Sequence, residues 1–193
     1  MTSSDVIIVH VDDEPSVLSA LRRTLIRVCS GQCFHFDVRS FASATAALGT
    51  LLTESVDVVI SDYRMPEMDG VELLRRAREL QPYTGRILLS GSTEYSFLLM
   101  AVNQAAVTRV LVKPWADEEL FDAIRHCVAM RRLQLENADL ADQVRVQRGL
   151  LSQQEATLRR IASLHPEVTE VVCDGDMQTS GQDPLAVSEA AHV

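Results

Sequence analysis

Apolar and polar positions along the chain follow two different periods. Five short segments carry apolar residues consecutively or at every second position, as β-strands do: residues 6–11, 35–41, 56–60, 86–89 and 107–112. Between them, four segments carry apolar residues at helical spacing: residues 16–29, 42–52, 71–80 and 94–105. The pattern therefore predicts a regular alternation of strands and helices.

Strands that alternate with helices in this way form parallel sheets with helices on both faces. The run that ends at Asp62 is apolar apart from Asp57 and Ser61, which is typical of a central strand covered on both sides. Strand-to-strand crossovers of this kind are right-handed. We therefore predict an α/β protein with a doubly wound, five-stranded parallel sheet and a long C-terminal helix.

Polar side chains follow the predicted strands at the points where the strands end. Asp12 and Asp13 follow the first strand, Asp62 the third, Ser90 the fourth and Lys113 the fifth. The carboxyl ends of parallel strands meet at one edge of the sheet, where open α/β folds place their ligand sites. We therefore expect these five side chains to converge on one site.

Three carboxylates at one place repel one another, and a bound cation is a natural way to keep them ionised. Oxygen atoms of carboxylates and carbonyls are the ligands that Mg²⁺ prefers. Lys113 and Ser90 would face an anion beside that cation, and Asp62 is the best-placed nucleophile. The set predicts a magnesium-dependent phosphoryl acceptor.

The ordered set of motifs resembles the receiver domain of two-component response regulators. The resemblance covers residues 5–128 and rests on Asp12-Asp13, Asp62, Met65-Pro66, Asp69-Gly70, Ser90-Gly91 and Lys113-Pro114-Trp115. It implies a flavodoxin-like receiver fold, a bound Mg²⁺ and a sensor histidine kinase as phosphoryl donor.

By this resemblance Asp62 is the phosphoacceptor, and Ser90 and Lys113 are the hydroxyl and the lysine that act on the phosphoryl group. It also implies a cis bond between Lys113 and Pro114. The family often has Tyr or Phe three residues before the lysine, where this chain has Val110. We therefore expect Ser90 to act without an aromatic switch.

The resemblance also implies the magnesium ligands. Asp13 would bind the ion directly, and Asp12 would bind it through water. The other ligands would be Asp62 and the backbone carbonyl of Arg64.

A long segment without proline follows the fifth strand. Asp117 and the two glutamates after it favour a helix start, and Gly149 is the only glycine before about Leu164. Heptad spacing runs through the second half, at Leu133, Asn137, Leu140, Val144, Gln147, Leu151, Gln154, Leu158 and Ile161. We therefore predict a helical extension that forms a dimeric coiled coil.

Asn137 at one of these heptad positions favours a two-stranded coiled coil with a fixed register. Gln147 and Gln154 weaken the apolar contact between the two helices. Two other arrangements stay open: a solvated helix, or a helix that folds back on the domain through Leu135, Val146 and Leu150. The predicted organisation is a receiver domain at residues 1–128, the extension at 129–164, and a strand-like segment with a mostly disordered tail at 165–193.

Composition narrows the expected partners. The net charge of −9 argues against nucleic acid and against anionic membranes, and the tail lacks a basic recognition helix. No apolar run reaches the roughly 18 residues that a membrane span needs. The N-terminus lacks the features of a signal peptide. We expect a cytoplasmic regulator, not an enzyme, that signals to an unidentified protein through contacts or dimerisation.

Two other functions stay open. A haloacid dehalogenase-type phosphatase also has an Asp nucleophile on a doubly wound sheet. Such enzymes need a second Asp two residues later, where this chain has Arg64. A phosphorylation-independent coiled-coil adaptor would use the extension alone.

Two polar residues inside predicted strands are expected to be structural. His10 lies in an apolar run, and we expect a core residue with satisfied hydrogen bonds rather than a phosphoryl relay. Asp57 is expected to lie near the surface and not to bind the metal ion.

Overall fold

The computed structural model describes residues 5–29, 35–91 and 105–164 of the chain. The strands are β1 (Asp5–Val11), β2 (His35–Phe41), β3 (Val58–Asp62), β4 (Gly85–Ser90) and β5 (Arg109–Val112). The helices are α1 (Pro15–Cys29), α2 (Ala44–Thr53), α3 (Gly70–Leu80), α4 (Asp117–Gln147) and α5 (Gln153–Leu164). The helix predicted at residues 94–105 falls, apart from Ala105, outside the described residues.

The strands form one parallel sheet in the order β2-β1-β3-β4-β5, which confirms the predicted fold class. All residues of the central strand β3 are buried, because helices cover both faces of the sheet. The chain leaves β1 for β2 on one side, and β3 lies on the other side of β1. This reversal of strand order places the carboxyl ends of β1 and β3 beside one another.

The two faces of the sheet pack into separate apolar layers, since successive strand residues point to opposite sides. Val9 and Val59 belong to the layer under α2 and α3. Ile8 and Ile60 belong to the layer under α1 and the first part of α4. The strand ends are thereby held by a rigid core and can carry the polar site.

The helix α4 joins the receiver fold to the extension without a break. A Cβ atom on Gly85 would lie 2.4 Å from the Cβ atom of Cys127, so the glycine lets α4 approach β4. Beyond this contact, Arg131 lies 3.0 Å from Asp57 and donates a hydrogen bond to Ser55 at 2.8 Å. The predicted boundary at residue 128 therefore lies inside one helix, about five turns short of its end.

The predicted long C-terminal helix is confirmed as α4, but the helical extension consists of two helices, because α4 ends at a Schellman turn around Gly149. Gly149 has a φ of 68° and donates to the carbonyl of Val146 at 3.0 Å, while Leu150 donates to that of Arg145 at 2.9 Å. A positive φ suits glycine, which has no Cβ atom to collide with the backbone. The heptad pattern consequently does not run through one straight helix.

A capping box then starts α5. The backbone N–H of Ser152 donates to Glu155 Oε2 at 2.8 Å, and the backbone N–H of Glu155 donates to Ser152 Oγ at 3.2 Å. The two reciprocal bonds satisfy N–H groups that the first helical turn would leave without partners. The break between the two helices is therefore defined by local hydrogen bonds on both sides.

The helix α5 returns along α4 and forms a hairpin with it. Arg159 lies 3.6 Å from Asp142, and Arg160 lies 4.0 Å from Asp139. The groove between the helices has a volume of about 620 Å³ and contains Leu135 among its lining residues. The helix α5 packs on α4, and of Leu135, Val146 and Leu150, the residues expected to mediate a fold-back on the domain, only Leu135 lines this groove, while Leu150 is 74% exposed.

Among the described residues, no helix is both long and apolar enough to cross a membrane. The predicted strand-like segment and tail at 165–193 lie outside the described part of the chain.

Candidate functional site

One lysine contacts two carboxylates at the carboxyl edge of the sheet. Asp12 follows β1, Asp62 ends β3, and Lys113 follows β5. The Nζ atom of Lys113 lies 2.7 Å from Asp12 Oδ2 and 2.5 Å from Asp62 Oδ1. Lys113 is the only lysine in the sequence, and the other 17 of its 18 Lys and Arg residues are arginines. The structure thus brings three of the five predicted side chains into direct contact.

Each carboxylate is also oriented by the backbone two residues further on. Asp12 Oδ1 accepts the N–H of Glu14 at 2.9 Å, and Asp62 Oδ2 accepts the N–H of Arg64 at 2.7 Å. Short local bonds of this kind are characteristic of Asp at turns. Each carboxylate therefore keeps one oxygen on the backbone and the other on Lys113.

Burial strengthens the electrostatics of this group. The side chain of Asp12 is 0% exposed, that of Asp62 10% and that of Lys113 21%. Burial opposes the charged form of Lys113, but hydrogen bonds to Asp12 and Asp62 outweigh it and raise the pKa of the ammonium group above its ordinary value. One positive charge faces two carboxylates, so the site favours an additional cation.

Ser90 lies at the end of the neighbouring strand. Ser90 is buried, and its backbone carbonyl accepts a hydrogen bond from the backbone N–H of Lys113 at 2.8 Å. The adjacent residue Leu89 is paired with Asp62 across the sheet. The bond between Lys113 and Pro114 is cis, as the resemblance implied. Ser90 and Lys113 therefore belong to the same edge as Asp62.

Asp13 is exposed, and its side chain does not form a three-carboxylate cluster with those of Asp12 and Asp62. Among the described residues, no three His, Cys, Asp or Glu side chains are arranged to hold a metal ion. Arg64 contacts Asp62 through its N–H, while the metal-binding role of its carbonyl stays a prediction. The donors nevertheless fit Mg²⁺ chemically, because they are oxygen atoms and carry more negative charge than Lys113 cancels.

The start of α3 packs against the backbone of Asp62. Asp69 caps this helix by accepting the N–H of Glu72 at 2.8 Å. Gly70 donates its N–H to the carbonyl of Tyr63 at 3.0 Å, and a Cβ atom on Gly70 would lie 2.0 Å from the carbonyl oxygen of Asp62. Sequence reasoning found a turn here, but not that the close approach requires glycine.

His10 is buried as expected, but the prediction of satisfied hydrogen bonds is wrong. The residue is 0% exposed, and neither ring nitrogen has a partner among the described residues. Burial and, secondarily, the charge of Lys113 lower the pKa of His10 to about 3. The imidazole is therefore neutral at physiological pH.

Asp57 anchors the extension rather than the site. Its Oδ2 atom accepts the N–H of Ile7 at 2.8 Å, and its Oδ1 atom lies 3.0 Å from Arg131. That Asp57 does not bind the metal ion stays a prediction. Sequence reasoning missed the contact, since nothing local in the sequence links the strand residue to a helix so far along the chain.

Residues 7–125 match the family described as response regulator receiver domain. The chain is 36% identical to the hydrogenase transcriptional regulatory protein HoxA of Cupriavidus necator over 134 residues, 69% of this chain and 26% of HoxA. It is 31% identical to the response regulator protein TmoT of Ectopseudomonas mendocina over 190 residues, 98% of this chain and 79% of TmoT.

A third relative is the C4-dicarboxylate transport transcriptional regulatory protein DctD of Rhizobium meliloti. It is 35% identical over 130 residues, 67% of this chain and 27% of DctD. The chain therefore spans about a quarter of the length of HoxA and DctD.

Solved structures give the same result. The signal receiver domain of an HD domain-containing protein from Pseudomonas fluorescens has a TM-score of 0.59 and 33% identity, covering 67% of this chain and 98% of that one. A structure described as adenylate cyclase from Rhodopirellula baltica has a TM-score of 0.64 and 28% identity, covering 72% of this chain and 98% of that one. In each case the matched region corresponds to about two thirds of this chain or slightly more.

Proposed function

Since the chain belongs to the family of response regulator receiver domains, we propose that it accepts a phosphoryl group on Asp62 from a sensor histidine kinase. The observation that carries the proposal is the contact of Lys113 with both Asp12 and Asp62 at the sheet edge. An ammonium group in that position suits an anion bonded to Asp62. On this proposal, the protein is a two-component response regulator and is cytoplasmic.

In the proposed reaction, a carboxylate oxygen of Asp62 forms a bond to phosphorus while the phosphorus–nitrogen bond of the donor's phosphohistidine breaks. The imidazole nitrogen leaves with the electron pair and takes a proton from solvent. The product on Asp62 is an acyl phosphate. Lys113 stabilises the charge on the phosphoryl oxygens, and its raised pKa keeps it protonated for this purpose. The proposed role of Ser90 is to donate a hydrogen bond to the phosphoryl group.

Mg²⁺ is the proposed cofactor, held by Asp12, Asp13, Asp62 and the carbonyl of Arg64. When bound, the ion would neutralise charge on the transferred phosphoryl group. The excess of carboxylate charge over the single ammonium of Lys113 supports this assignment. The exposed position of Asp13 leaves its side chain accessible to an ion that enters from solvent.

We propose that the chain is a regulator and not an enzyme. A phosphatase of the haloacid dehalogenase type needs a carboxylic acid two residues after its nucleophile, and this position holds Arg64. The contact that Arg64 makes with Asp62 is through the backbone N–H, which orients the carboxylate without supplying an acid. Hydrolysis would therefore depend on water alone.

The proposed output is contact with another protein or dimerisation, with no binding of nucleic acid. HoxA and DctD are transcriptional regulators by name, so the relatives include proteins with a transcriptional output. The net charge of −9 supports a partner other than DNA. A phosphorylation-independent adaptor is a second candidate, which the exposed apolar residues Leu133 and Leu140 of α4 favour.

Intact-mass measurement after incubation with acetyl phosphate tests the proposed phosphoacceptor. Wild type should gain one phosphoryl group when Mg²⁺ is present and none when it is chelated. Asp62→Asn should gain none under either condition, since its amide is a poor nucleophile.

Asp69→Asn is the matched control, because the change is the same and lies in the same loop. Asn also caps helices well, so α3 should be unaffected and phosphorylation should persist. A folded wild type that gains no phosphoryl group would overturn the proposal and favour the adaptor. Loss in both variants would assign the effect to the loop rather than to the Asp62 carboxylate.

A further inference from the structure

The helix α4 has two apolar faces, and only one of them is covered. Leu135 and Ala138 line the groove against α5. Met130, Leu133, Leu140 and Val144 are 40%, 53%, 57% and 44% exposed. Since successive residues of a helix are about 100° apart, these four positions lie on the side opposite Leu135. We call Met130, Leu133, Asn137, Leu140 and Val144 the α4 seam.

The helix α5 also leaves apolar residues uncovered. None of its residues is buried, and Leu158 and Ile161 are 53% and 36% exposed. In heptad spacing these two residues continue the α4 seam. Only the turn at Gly149 separates the two halves of one pattern.

Weak contacts hold the hairpin closed. Its two ion pairs among the described residues, Arg159 with Asp142 and Arg160 with Asp139, have distances of 3.6 and 4.0 Å. The arginine side chains are 58% and 68% exposed, and those of Asp142 and Asp139 are 15% and 37% exposed. Ion pairs of this length with an exposed arginine contribute little to stability. Gly149 adopts helical dihedral angles as readily as its present positive φ, so the turn can straighten without a steric penalty.

We propose that the hairpin is the monomeric form of the extension, which opens at Gly149 into one continuous helix when a second copy of the chain pairs with it. The α4 seam alone is about 22 Å long, two heptads, which is short for a stable coiled coil. Opening the hairpin adds Leu151, Leu158 and Ile161 and doubles the number of heptads. The gain in buried apolar surface offsets the loss of the hairpin contacts.

Asn137 identifies the second copy as the occupant. An Asn within an apolar seam leaves its amide without a partner when it packs against an apolar surface. Across a two-fold axis, the same Asn of the other copy supplies the missing donor and acceptor. The proposal rests on the dimerisation output proposed above, but not on phosphoryl transfer to Asp62.

The distance between α4 and α5 distinguishes the two forms. Spin labels at positions 136 and 163 would lie across the same groove in the hairpin. In a continuous helix they would lie about 40 Å apart at 1.5 Å per residue. Cys29, Cys33 and Cys173 are replaced by Ser, whereas Cys127 is buried and its pKa is raised to about 11, which protects it from labelling.

Pulsed electron resonance is measured on the full chain as a function of protein concentration, with sedimentation on the same samples. Labelled protein is diluted into an excess of unlabelled protein, so that the measured distance is within one chain. We expect the long distance to increase in proportion to the dimer. A dimer that keeps the short distance, a long distance in the monomer, or the absence of any dimer would each overturn the proposal.

Gly149→Ala should shift both measurements in the same direction. Alanine disfavours the positive φ of the turn and favours a continuous helix, so the dimer should bind roughly tenfold more tightly. Gly49→Ala is the matched control, because its Cβ atom would meet nothing within 4 Å and the residue belongs to α2, which is not part of the hairpin. An unchanged dimer affinity in Gly149→Ala would contradict the hinge.

All samples are unphosphorylated, so the expected dimer and the expected distance do not depend on phosphoryl transfer to Asp62. Failure of the hinge would therefore leave the phosphorylation result unaffected. Failure of phosphorylation would equally leave the concentration-dependent opening to be observed.

Discussion

The ammonium group of Lys113 contacts the carboxylates of Asp12 and Asp62. Because Lys113 is the only lysine in the sequence, a lysine-specific label reports on it without overlap from other lysines. Reductive methylation with a ¹³C label should give one side-chain signal, besides that of the N-terminal amine. Because hydrogen bonds to Asp12 and Asp62 raise its pKa, the signal should titrate above the ordinary lysine pKa of 10.5.

Asp12→Asn and Asp62→Asn should each lower the pKa of Lys113 in that titration, since each removes one negative partner. Asp122→Asn is a control on an exposed aspartate of α4 and should leave the signal unchanged. A Lys113 signal that does not respond to either partner would contradict the contacts on which the site depends.

His10 makes folding stability depend on pH. Its pKa falls from 6.5 in the unfolded chain to about 3 in the fold, so between these values the unfolded chain binds more protons. Stability is therefore present above pH 6.5 and is lost as the pH falls toward 3. Relative to His10→Leu, wild type should lose about 2 kcal/mol between pH 7 and pH 5 in denaturant titrations without Mg²⁺.

The leucine variant should also be at least as stable as wild type at pH 7, because it removes a buried imidazole whose nitrogens lack partners. Equal pH dependence in the two proteins would mean that His10 has a hydrogen-bonding partner in solution that the described residues do not supply.

At the level of elements, the position of α3 depends on the absence of a side chain at Gly70. Gly70→Ala would place a Cβ atom against the carbonyl of Asp62, and overpacking of this kind costs about 1–3 kcal/mol. We expect lower stability in urea and slower phosphorylation by acetyl phosphate, because the loop that orients Asp62 must shift. Gly49→Ala is the control and should leave both unchanged or slightly raise stability. Normal phosphorylation in Gly70→Ala would show that the loop tolerates the displacement.

The strands were predictable because apolar period and turn residues agree along most of the receiver region. The predicted β2 has the observed bounds, and the polar residues at strand ends lie at one edge as expected. The contact of Asp57 with Arg131 was not predictable, because it depends on how α4 crosses the sheet. The missing partners of His10 could likewise be found only from the packing around it.

The sequence contains local signals for the break between α4 and α5, but the heptad spacing favoured a different prediction. Gly149 is a common C-terminal helix signal, and Ser152 with Glu155 forms the sequence of a capping box. The heptad spacing on both sides suggested continuity instead. The same residues carry two signals. Their local hydrogen bonds favour the hairpin, and their apolar periodicity favours a continuous helix paired with a second copy.

For the whole molecule, the site and the extension share a short covalent connection. Lys113 is followed by the cis bond to Pro114, and α4 begins at Asp117. The same helix is anchored to the core by Arg131 and then continues into the hairpin. A phosphoryl group that draws Lys113 away from Asp12 would therefore act on the start of the element that carries the seam, which can bias a two-state extension.

The central claim is that Asp62 is the residue that receives phosphate, and chemical mapping tests it directly. Wild type is treated with acetyl phosphate and Mg²⁺, reduced with borohydride, digested and sequenced by mass spectrometry. Borohydride converts an aspartyl phosphate to homoserine, so the account predicts homoserine at position 62 and at no other position. Homoserine at Asp12, Asp13 or another aspartate, with Asp62 intact, would contradict it.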